Sequence, residues 1–128
     1  MLSYLLVAVG GALGSVGRYW LGGVAARSLG ASFPWGTVLV NILGSFVIGA
    51  FLAAGRHDVR LGGPEAQALV MVGLCGGFTT FSAFSLQTVE LLHEGRAAAA
   101  LANVALSVVL CLLATAAGMA LFGAGRPA

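Results

Sequence analysis

Long apolar runs that contain few or no charged residues alternate along this chain with short segments that hold most of its charges. A helix needs about 20 such residues to cross the hydrocarbon core of a bilayer. The runs therefore predict an all-α membrane protein with four transmembrane helices. We place the spans near Ser3–Ala26, Trp35–Gly55, Ala66–Leu92 and Ala97–Phe122.

Turn-forming and interfacial residues mark the boundaries of these spans. Pro34 and Trp35 suit the start of the second span, because proline fits the first helical turn and tryptophan anchors at the headgroups. Residues 62–64 (Gly-Gly-Pro) mark the second loop as a turn. The third loop, around His93–Arg96, is so short that the third and fourth spans should be antiparallel neighbours. Residues 1–128 are expected to form a single membrane-embedded unit.

The composition agrees with a membrane location and argues against other classes of protein. Only 8% of the 128 residues are charged and 59% are hydrophobic, whereas a soluble domain carries about 25% charged residues. The mean hydropathy is +1.02. The net charge is +2 and the basic residues are scattered arginines without a basic patch, so we expect no nucleic acid partner. The chain is expected to be a multi-pass protein of the cell membrane.

Glycine is abundant, with 20 residues, and its spacing indicates close helix packing. In lipid no hydrophobic drive brings helices together, and small residues let two backbones approach closely. Gly10 and Gly14 in the first span, and Gly73 and Gly77 in the third, have the four-residue spacing of such contacts.

Polar side chains recur at helical spacing inside the spans. Residues four apart share one face of a helix, and two such stripes lie on the second and fourth spans: Thr37, Asn41 and Ser45; Asn103, Ser107, Cys111 and Thr115. A hydroxyl group can instead bond to the backbone of its own helix. Because polar groups are costly in hydrocarbon, stripes that meet at one depth favour a pathway through the membrane.

The third span holds the densest polar cluster, in residues 76–85 (Gly-Gly-Phe-Thr-Thr-Phe-Ser-Ala-Phe-Ser). Two glycines followed by two β-branched threonines weaken a helix, and here they fall at mid-membrane. We therefore predict that the third helix is broken. A break frees backbone carbonyl groups, which must be buried in protein or bind something.

The chemistry of the polar groups indicates what the pathway carries. No Asp, Glu or Lys lies deep in a predicted span, whereas proton-coupled pumps and cation exporters usually depend on an intramembrane carboxylate. The groups that remain are amide N–H groups, hydroxyl groups and phenyl rings, whose edges carry partial positive charge. Without a buried fixed positive charge, they suit a small anion that passes quickly rather than one that is held.

Three motifs follow one another on the first three spans. They are Gly14-x-x-x-Arg18-Tyr19, then Gly36-Thr37-x-x-Val40-Asn41-x-x-Gly44-Ser45-Phe46-x-x-Gly49, and Gly73-x-x-Gly76-Gly77-Phe78-Thr79-Thr80-Phe81-Ser82-Ala83-Phe84. In this order and on these spans, the chain resembles the family of fluoride channels called Fluc along nearly its whole length.

The resemblance implies an antiparallel, dual-topology homodimer that exports fluoride from the cytoplasm down its electrochemical gradient and lowers fluoride toxicity. It implies pore residues Phe81, Phe84 and Asn41, further residues along the fluoride path Thr37, Thr80, Ser82 and Ser107, and a vestibule residue Arg18. Main-chain carbonyl groups of Gly76 and Thr79 would hold a structural Na⁺ that is not transported, and no organic cofactor is implied. Three positions depart from the family pattern: Ala83 replaces a frequent threonine, Cys111 a glycine or serine, and Asn103 a tyrosine.

Two other functions compete with a fluoride channel. A small multidrug or cation exchanger has a similar size, but it would need a carboxylate in the first span, which has none. A non-conducting structural subunit would gain nothing from the desolvation cost of the polar stripes.

Other side chains suggest sites only weakly. Glu90-x-x-His93 has the spacing of a metal motif in helix bundles, but it occurs once, at a span end. The pair His57-Asp58 has no third partner, and no set of nucleophile, base and orienting group can be assembled, so we expect no enzyme. Cys75 and Cys111 are interpreted as small buried hydrophobic residues.

Overall fold

Four helices long and apolar enough to cross a membrane make up the structure, a computed structural model that describes residues 1–124. The spans are Leu2–Leu29, Trp35–Gly55, Pro64–His93 and Ala97–Gly123. The predicted all-α class and the four predicted spans are confirmed. The largest difference is at the end of the first span, which was predicted at Ala26 and lies at Leu29.

The third span is not a continuous α-helix. It consists of α4 (Pro64–Gln67), a π-helix (Ala68–Cys75), α5 (Gly76–Phe78) and α6 (Phe81–His93). The other spans are α1 (Leu2–Leu29), α2 (Trp35–Gly55) and α7 (Ala97–Gly123). A short helix in the second loop, α3, covers Val59–Gly62. The predicted break is confirmed at residues 79–80, which lie outside any helix. The π-helix was not predicted.

Glycines at positive φ end two of the spans. Gly30 follows α1 with φ of 87°, and its amide donates to the carbonyl of Ala26 at 3.1 Å. Gly95, with φ of 73°, lies in the turn between α6 and α7. L-residues with a side chain rarely adopt this conformation, so glycine permits these tight reversals. The third and fourth spans are antiparallel neighbours, as their short loop predicts.

The spans pack in two main pairs, α1 against the π-helix and α5, and α2 against α7. In the first pair the Cα of Gly10 lies 3.0 Å from where a Cβ on Gly73 would stand, and the Cα of Gly11 lies 3.0 Å from the corresponding point on Gly77. In the second pair, a Cβ on Gly118 would come within 2.8 Å of the amide nitrogen of Ala50. Both pairs therefore depend on backbone-to-backbone contact, as the glycine spacing predicts for the first.

Most large apolar side chains face outward rather than into a core. On α7, Leu101, Leu112 and Leu121 are 70%, 68% and 70% exposed. A surface this apolar is unfavourable in water but is matched by lipid chains. The molecule is a multi-pass membrane protein.

Replacing Gly10 by alanine should destabilise the protein by about 1–3 kcal/mol, the usual cost of overpacking. The new Cβ would overlap the carbonyl oxygen of Leu69 and lie 2.9 Å from the amide nitrogen of Leu74, and backbone atoms cannot move aside as a flexible side chain can. Gly11→Ala is the matched control, because the nearest atom to its Cβ is the Gly73 carbonyl oxygen at 4.0 Å. Thermal unfolding in detergent should separate the two variants, and equal midpoints would contradict the packing described here.

Candidate functional site

The break in the third span is a short extended segment between two helical ends. Thr79 has φ −88° and ψ 159°, and Thr80 has φ −153° and ψ 116°. The hydroxyl of Thr80 caps α6 by accepting the amide of Ala83 at 3.1 Å, as an N-terminal capping residue does. The hydroxyl of Thr79 instead donates to the carbonyl of Cys75, in the turn before it, at 2.8 Å.

Asn41 on α2 hydrogen-bonds to both backbone groups of Thr80. The Thr80 amide donates to Oδ1 of Asn41 at 2.7 Å, and Nδ2 of Asn41 donates to the Thr80 carbonyl at 3.0 Å. The side-chain amide thus supplies one acceptor and one donor to a residue that has left the helix. The sequence placed Asn41 on a polar face but gave no indication that its partner would be the backbone of the break.

The hydrogen bonds at the break divert two amide groups from the carbonyl groups they would meet in an unbroken helix. An amide there bonds to the carbonyl four residues earlier, so the Thr80 amide would meet the carbonyl of Gly76; it donates to Asn41 instead. Likewise the amide of Ala83 would meet the carbonyl of Thr79, but it donates to the hydroxyl of Thr80. The carbonyl groups of Gly76 and Thr79 are thereby released for other partners.

A groove of about 490 Å³ lies where the second, third and fourth spans meet. Its lining combines apolar side chains with side-chain amide, hydroxyl and thiol groups: Ile48, Met71, Phe81, Phe84, Val108 and Leu112 on the apolar side, and Asn41, Ser45, Thr79, Thr80, Ser107 and Cys111 on the polar side. Among the described residues, none that lines the groove is charged. The groove is therefore neutral, and it contains most of the residues implied for a fluoride path.

The two phenylalanines of the groove have very different surroundings. Their ring centroids are 5.2 Å apart with an angle of 48° between the planes. Phe84 is 9% exposed, whereas Phe81 is 78% exposed. One ring is thus fixed within the subunit, while its neighbour presents most of its surface outside the single chain.

A second recess, of about 320 Å³, lies between α1, α2 and the start of α6. It contains Arg18, Thr37, Ser15 and Tyr19 together with Thr80 and Ala83. Thr80 lines both the recess and the groove. Arg18 and Thr37 are therefore brought together near the break, but at a recess that is distinct from the groove lined by Phe81 and Phe84.

Several hydroxyl groups of the spans bond to the backbone of their own span, whereas two near the groove do not. Those of Thr79, Ser85, Thr88 and Thr115 donate to the carbonyl four residues before them on the same span, which is the alternative role that the sequence left open. Ser82 instead shares a hydrogen bond of 3.2 Å with the Thr80 hydroxyl. The Ser107 hydroxyl is buried and has no partner among the described residues. Ser82 and Ser107 therefore fit a polar pathway better than Thr115 does.

Asn103 joins α7 to α6 through Thr88. Its Nδ2 donates to the Thr88 hydroxyl at 2.9 Å, and that hydroxyl donates to the carbonyl of Phe84 at 2.7 Å. Asn103 is fully buried, and its Oδ1 has no partner among the described residues. The sequence did not single out Thr88; its position four residues after Phe84 was the available signal.

The weaker sequence candidates do not converge on a site. Glu90 and His93 are exposed in the last turn of α6. No group of three or more His, Cys, Asp or Glu side chains that could hold a metal occurs within residues 1–124. Cys75 and Cys111 are free thiols, with Cys75 buried and Cys111 half-buried.

Residues 5–119 match the profile of a protein family described as "CrcB-like protein, Camphor Resistance (CrcB)". The chain is 56% identical to the "Fluoride-specific ion channel FluC" of Rhodospirillum rubrum over 113 residues, which are 88% of each chain. It is 52% identical to the protein of the same name from Methylocella silvestris, over 88% of this chain and 87% of the relative. It is also 47% identical to that of Rhizobium johnstonii, over 97% of this chain and 98% of the relative.

Proposed function

This chain belongs to the CrcB-like family. Because its relatives from Rhodospirillum rubrum, Methylocella silvestris and Rhizobium johnstonii are named fluoride-specific ion channels, we propose that it is a channel that conducts fluoride across the cell membrane. The direction we propose is export from the cytoplasm, down the electrochemical gradient, which would lower fluoride toxicity. A family of ion channels also agrees with the expectation that the chain is not an enzyme.

The observation that carries this proposal best is the neutral groove at the break. Its polar groups are the amide of Asn41 and the hydroxyls of residues such as Thr80 and Ser107. Such donors can replace part of the hydration shell of a small anion without holding it tightly. A cation exchanger, the alternative, would need a carboxylate in the first span, and α1 contains no Asp or Glu.

We assign roles along the path according to where the side chains lie. The edges of Phe81 and Phe84 would face the anion, because ring edges carry partial positive charge. The hydroxyls of Thr80, Ser82 and Ser107 would form the polar track. Arg18, in the recess between α1 and α2, would attract fluoride at a vestibule, and Thr37 in the same recess would belong to the fluoride path.

We propose a structural Na⁺ at the carbonyl groups of Gly76 and Thr79. The fit rests on their release from helical hydrogen bonding, since the amides that would occupy them donate to Asn41 and Thr80. Carbonyl oxygens are hard donors, which suit a hard cation. A bound Na⁺ would neutralise carbonyl dipoles at mid-membrane, while the surrounding residues of this chain would hold the break in shape.

We also propose that two copies assemble antiparallel across the open side of the groove. Phe81 is 78% exposed there, and the carbonyl-bearing residues Gly76 and Thr79 line the same groove. In a lone subunit these polar backbone groups would face lipid, which is unfavourable. A second copy would cover them and could bring a second pair of carbonyl groups to the Na⁺.

Purified protein in liposomes should release fluoride passively and exclude chloride. Fluoride is smaller than chloride, so close donors in a narrow neutral path can compensate its dehydration better. The measurement is efflux from fluoride-loaded or chloride-loaded liposomes, followed with ion-selective electrodes and with a K⁺ ionophore to balance charge. Comparable fluxes of the two anions would contradict the proposal of a fluoride-selective channel.

Phe81→Ile and Phe84→Ile should each lower fluoride flux by about tenfold, because isoleucine keeps much of the bulk but lacks a positive edge. Phe46→Ile is the matched control, because Phe46 does not line the groove. Its ring packs edge-on against that of Phe122, with the two ring centroids 6.3 Å apart. Full flux in Phe81→Ile would indicate that the ring only fills space.

Replacing sodium by a large organic cation such as N-methylglucamine should reduce fluoride flux. Such a cation is too large to be coordinated by carbonyl groups of the break, so their repulsion would no longer be neutralised. The flux assay is repeated in the two salts at equal ionic strength. Equal activity in both would count against the sodium site.

A topology reporter fused to the C-terminus should give signal from both sides of the membrane. Orientation follows the Lys/Arg bias between loops, and here the bias is small. One side carries Arg56, Arg60 and Arg126, and the other carries Arg27 and Arg96, with Arg18 toward the same end. Arg126 lies outside the described residues, whereas Arg96 donates to the Ser32 carbonyl at 2.6 Å, which places it beside the first loop.

Adding arginines to one loop should shift the reporter to a single side, which provides the control for the assay. Signal from one side only in the unaltered chain would refute dual insertion.

A further inference from the structure

We propose that Asn41 is a positioning residue: by bonding to both backbone groups of Thr80, it sets the conformation of the break and the placement of Phe81 and Phe84. This proposal rests on the proposed fluoride pathway but gives Asn41 a role other than contact with the ion. It follows from two hydrogen bonds, of 2.7 Å and 3.0 Å, to a residue that is only 9% exposed.

The orientation of the Asn41 side chain is determined by its partner. A backbone amide can only donate and a backbone carbonyl can only accept, so Oδ1 must face the Thr80 amide and Nδ2 its carbonyl. Two bonds to one residue restrain rotation as well as distance. Without them, both groups of Thr80 would need other partners at a depth where water is scarce.

This contact uses half of the hydrogen-bonding capacity of Asn41, one N–H donor and one of the two lone pairs of Oδ1. A carboxamide has two N–H donors, and one of them is committed to Thr80. At most one N–H can reach an ion in the groove. We therefore attribute the effect of Asn41 on fluoride flow mainly to its two bonds with the backbone of Thr80, which leads into Phe81, and not to contact with the ion.

Asn41 also connects the anion path with the proposed sodium site. It holds the Thr80 amide away from the carbonyl of Gly76, which is thereby left available to a cation. Phe81 directly follows Thr80 in the chain. The centroid of its ring lies 5.2 Å from that of Phe84. A single side chain on α2 thus fixes a cation ligand before the break and an aromatic ring after it.

Hydrogen exchange of the Thr80 amide tests this role independently of ion flow. The full chain in lipid nanodiscs is compared with Asn41→Ser, whose hydroxyl can donate and accept but is too short to reach both groups of Thr80. We expect the protection of Thr80 to fall about tenfold, the effect of losing one typical hydrogen bond, while peptides from α1 and α7 stay unchanged. Ser45→Ala, on the same face of α2, is the matched control and should leave exchange at Thr80 unaltered.

Asn41→Asp supplies a second test if the serine variant folds poorly. An ionised aspartate can accept from the Thr80 amide but cannot donate to its carbonyl, whereas the protonated acid can do both. Protection of Thr80, corrected for the intrinsic pH dependence of exchange, should therefore rise in this variant as pH falls, with no such change in the unaltered chain. Fluoride flux through the variant should recover over the same pH interval.

The outcomes separate this proposal from the proposed function. Reduced flux in Asn41→Ser with normal protection of Thr80 would show that Asn41 acts by contact with the ion, and would overturn the positioning role. Normal protection with normal flux would overturn it as well. Loss of protection in a chain that conducts no fluoride even when unaltered would uphold the positioning role and reject the fluoride channel.

Discussion

The hydrogen-bonding requirement of a broken helix in lipid is the constraint on which the rest of this structure depends. A continuous helix satisfies its own backbone, but a break at mid-membrane must find partners elsewhere. Here the partners come from Asn41 on α2 and from the hydroxyl of Thr80. The second span must therefore lie against the break at one fixed height, and the neutral groove forms where the two meet.

The glycine contacts make that arrangement possible. α1 approaches the third span closely enough that a Cβ at Gly14 would lie 2.7 Å from the amide of Phe78. A Cβ on Gly44 of α2 would likewise overlap the methyl group of Thr79. The break is thus held from α1 by backbone contact and from α2 by both packing and hydrogen bonds. In lipid, where burial of apolar surface gives little drive, such close contacts provide much of the cohesion.

The sequence predicted the spans, the glycine contacts and the break, because each of these depends on local composition or on spacing along one helix. It did not predict the pairing of Asn41 with Thr80 or of Asn103 with Thr88, because both depend on the relative height of two helices that spacing does not report. It also missed the π-helix: Ala68–Cys75 is uniformly apolar, and nothing in that composition distinguishes a π-helix from an α-helix. Arg18 lies in the recess and not in the groove. This separation depends on the side of the break against which α1 packs, and spacing along the sequence does not report that side.

The π-helix makes the third span unusually tolerant of a change in length. A π-helix closes its hydrogen bonds five residues apart instead of four, and α5 alone separates it from the break. The π-helix thus holds more residues per turn than an α-helix, so a single-residue deletion there can be absorbed when a π turn becomes an α turn. A deletion in α6, which is an ordinary α-helix, has no such reserve and would turn everything beyond it by about 100°. Single-codon deletions should therefore be tolerated better in the π-helix than in α6.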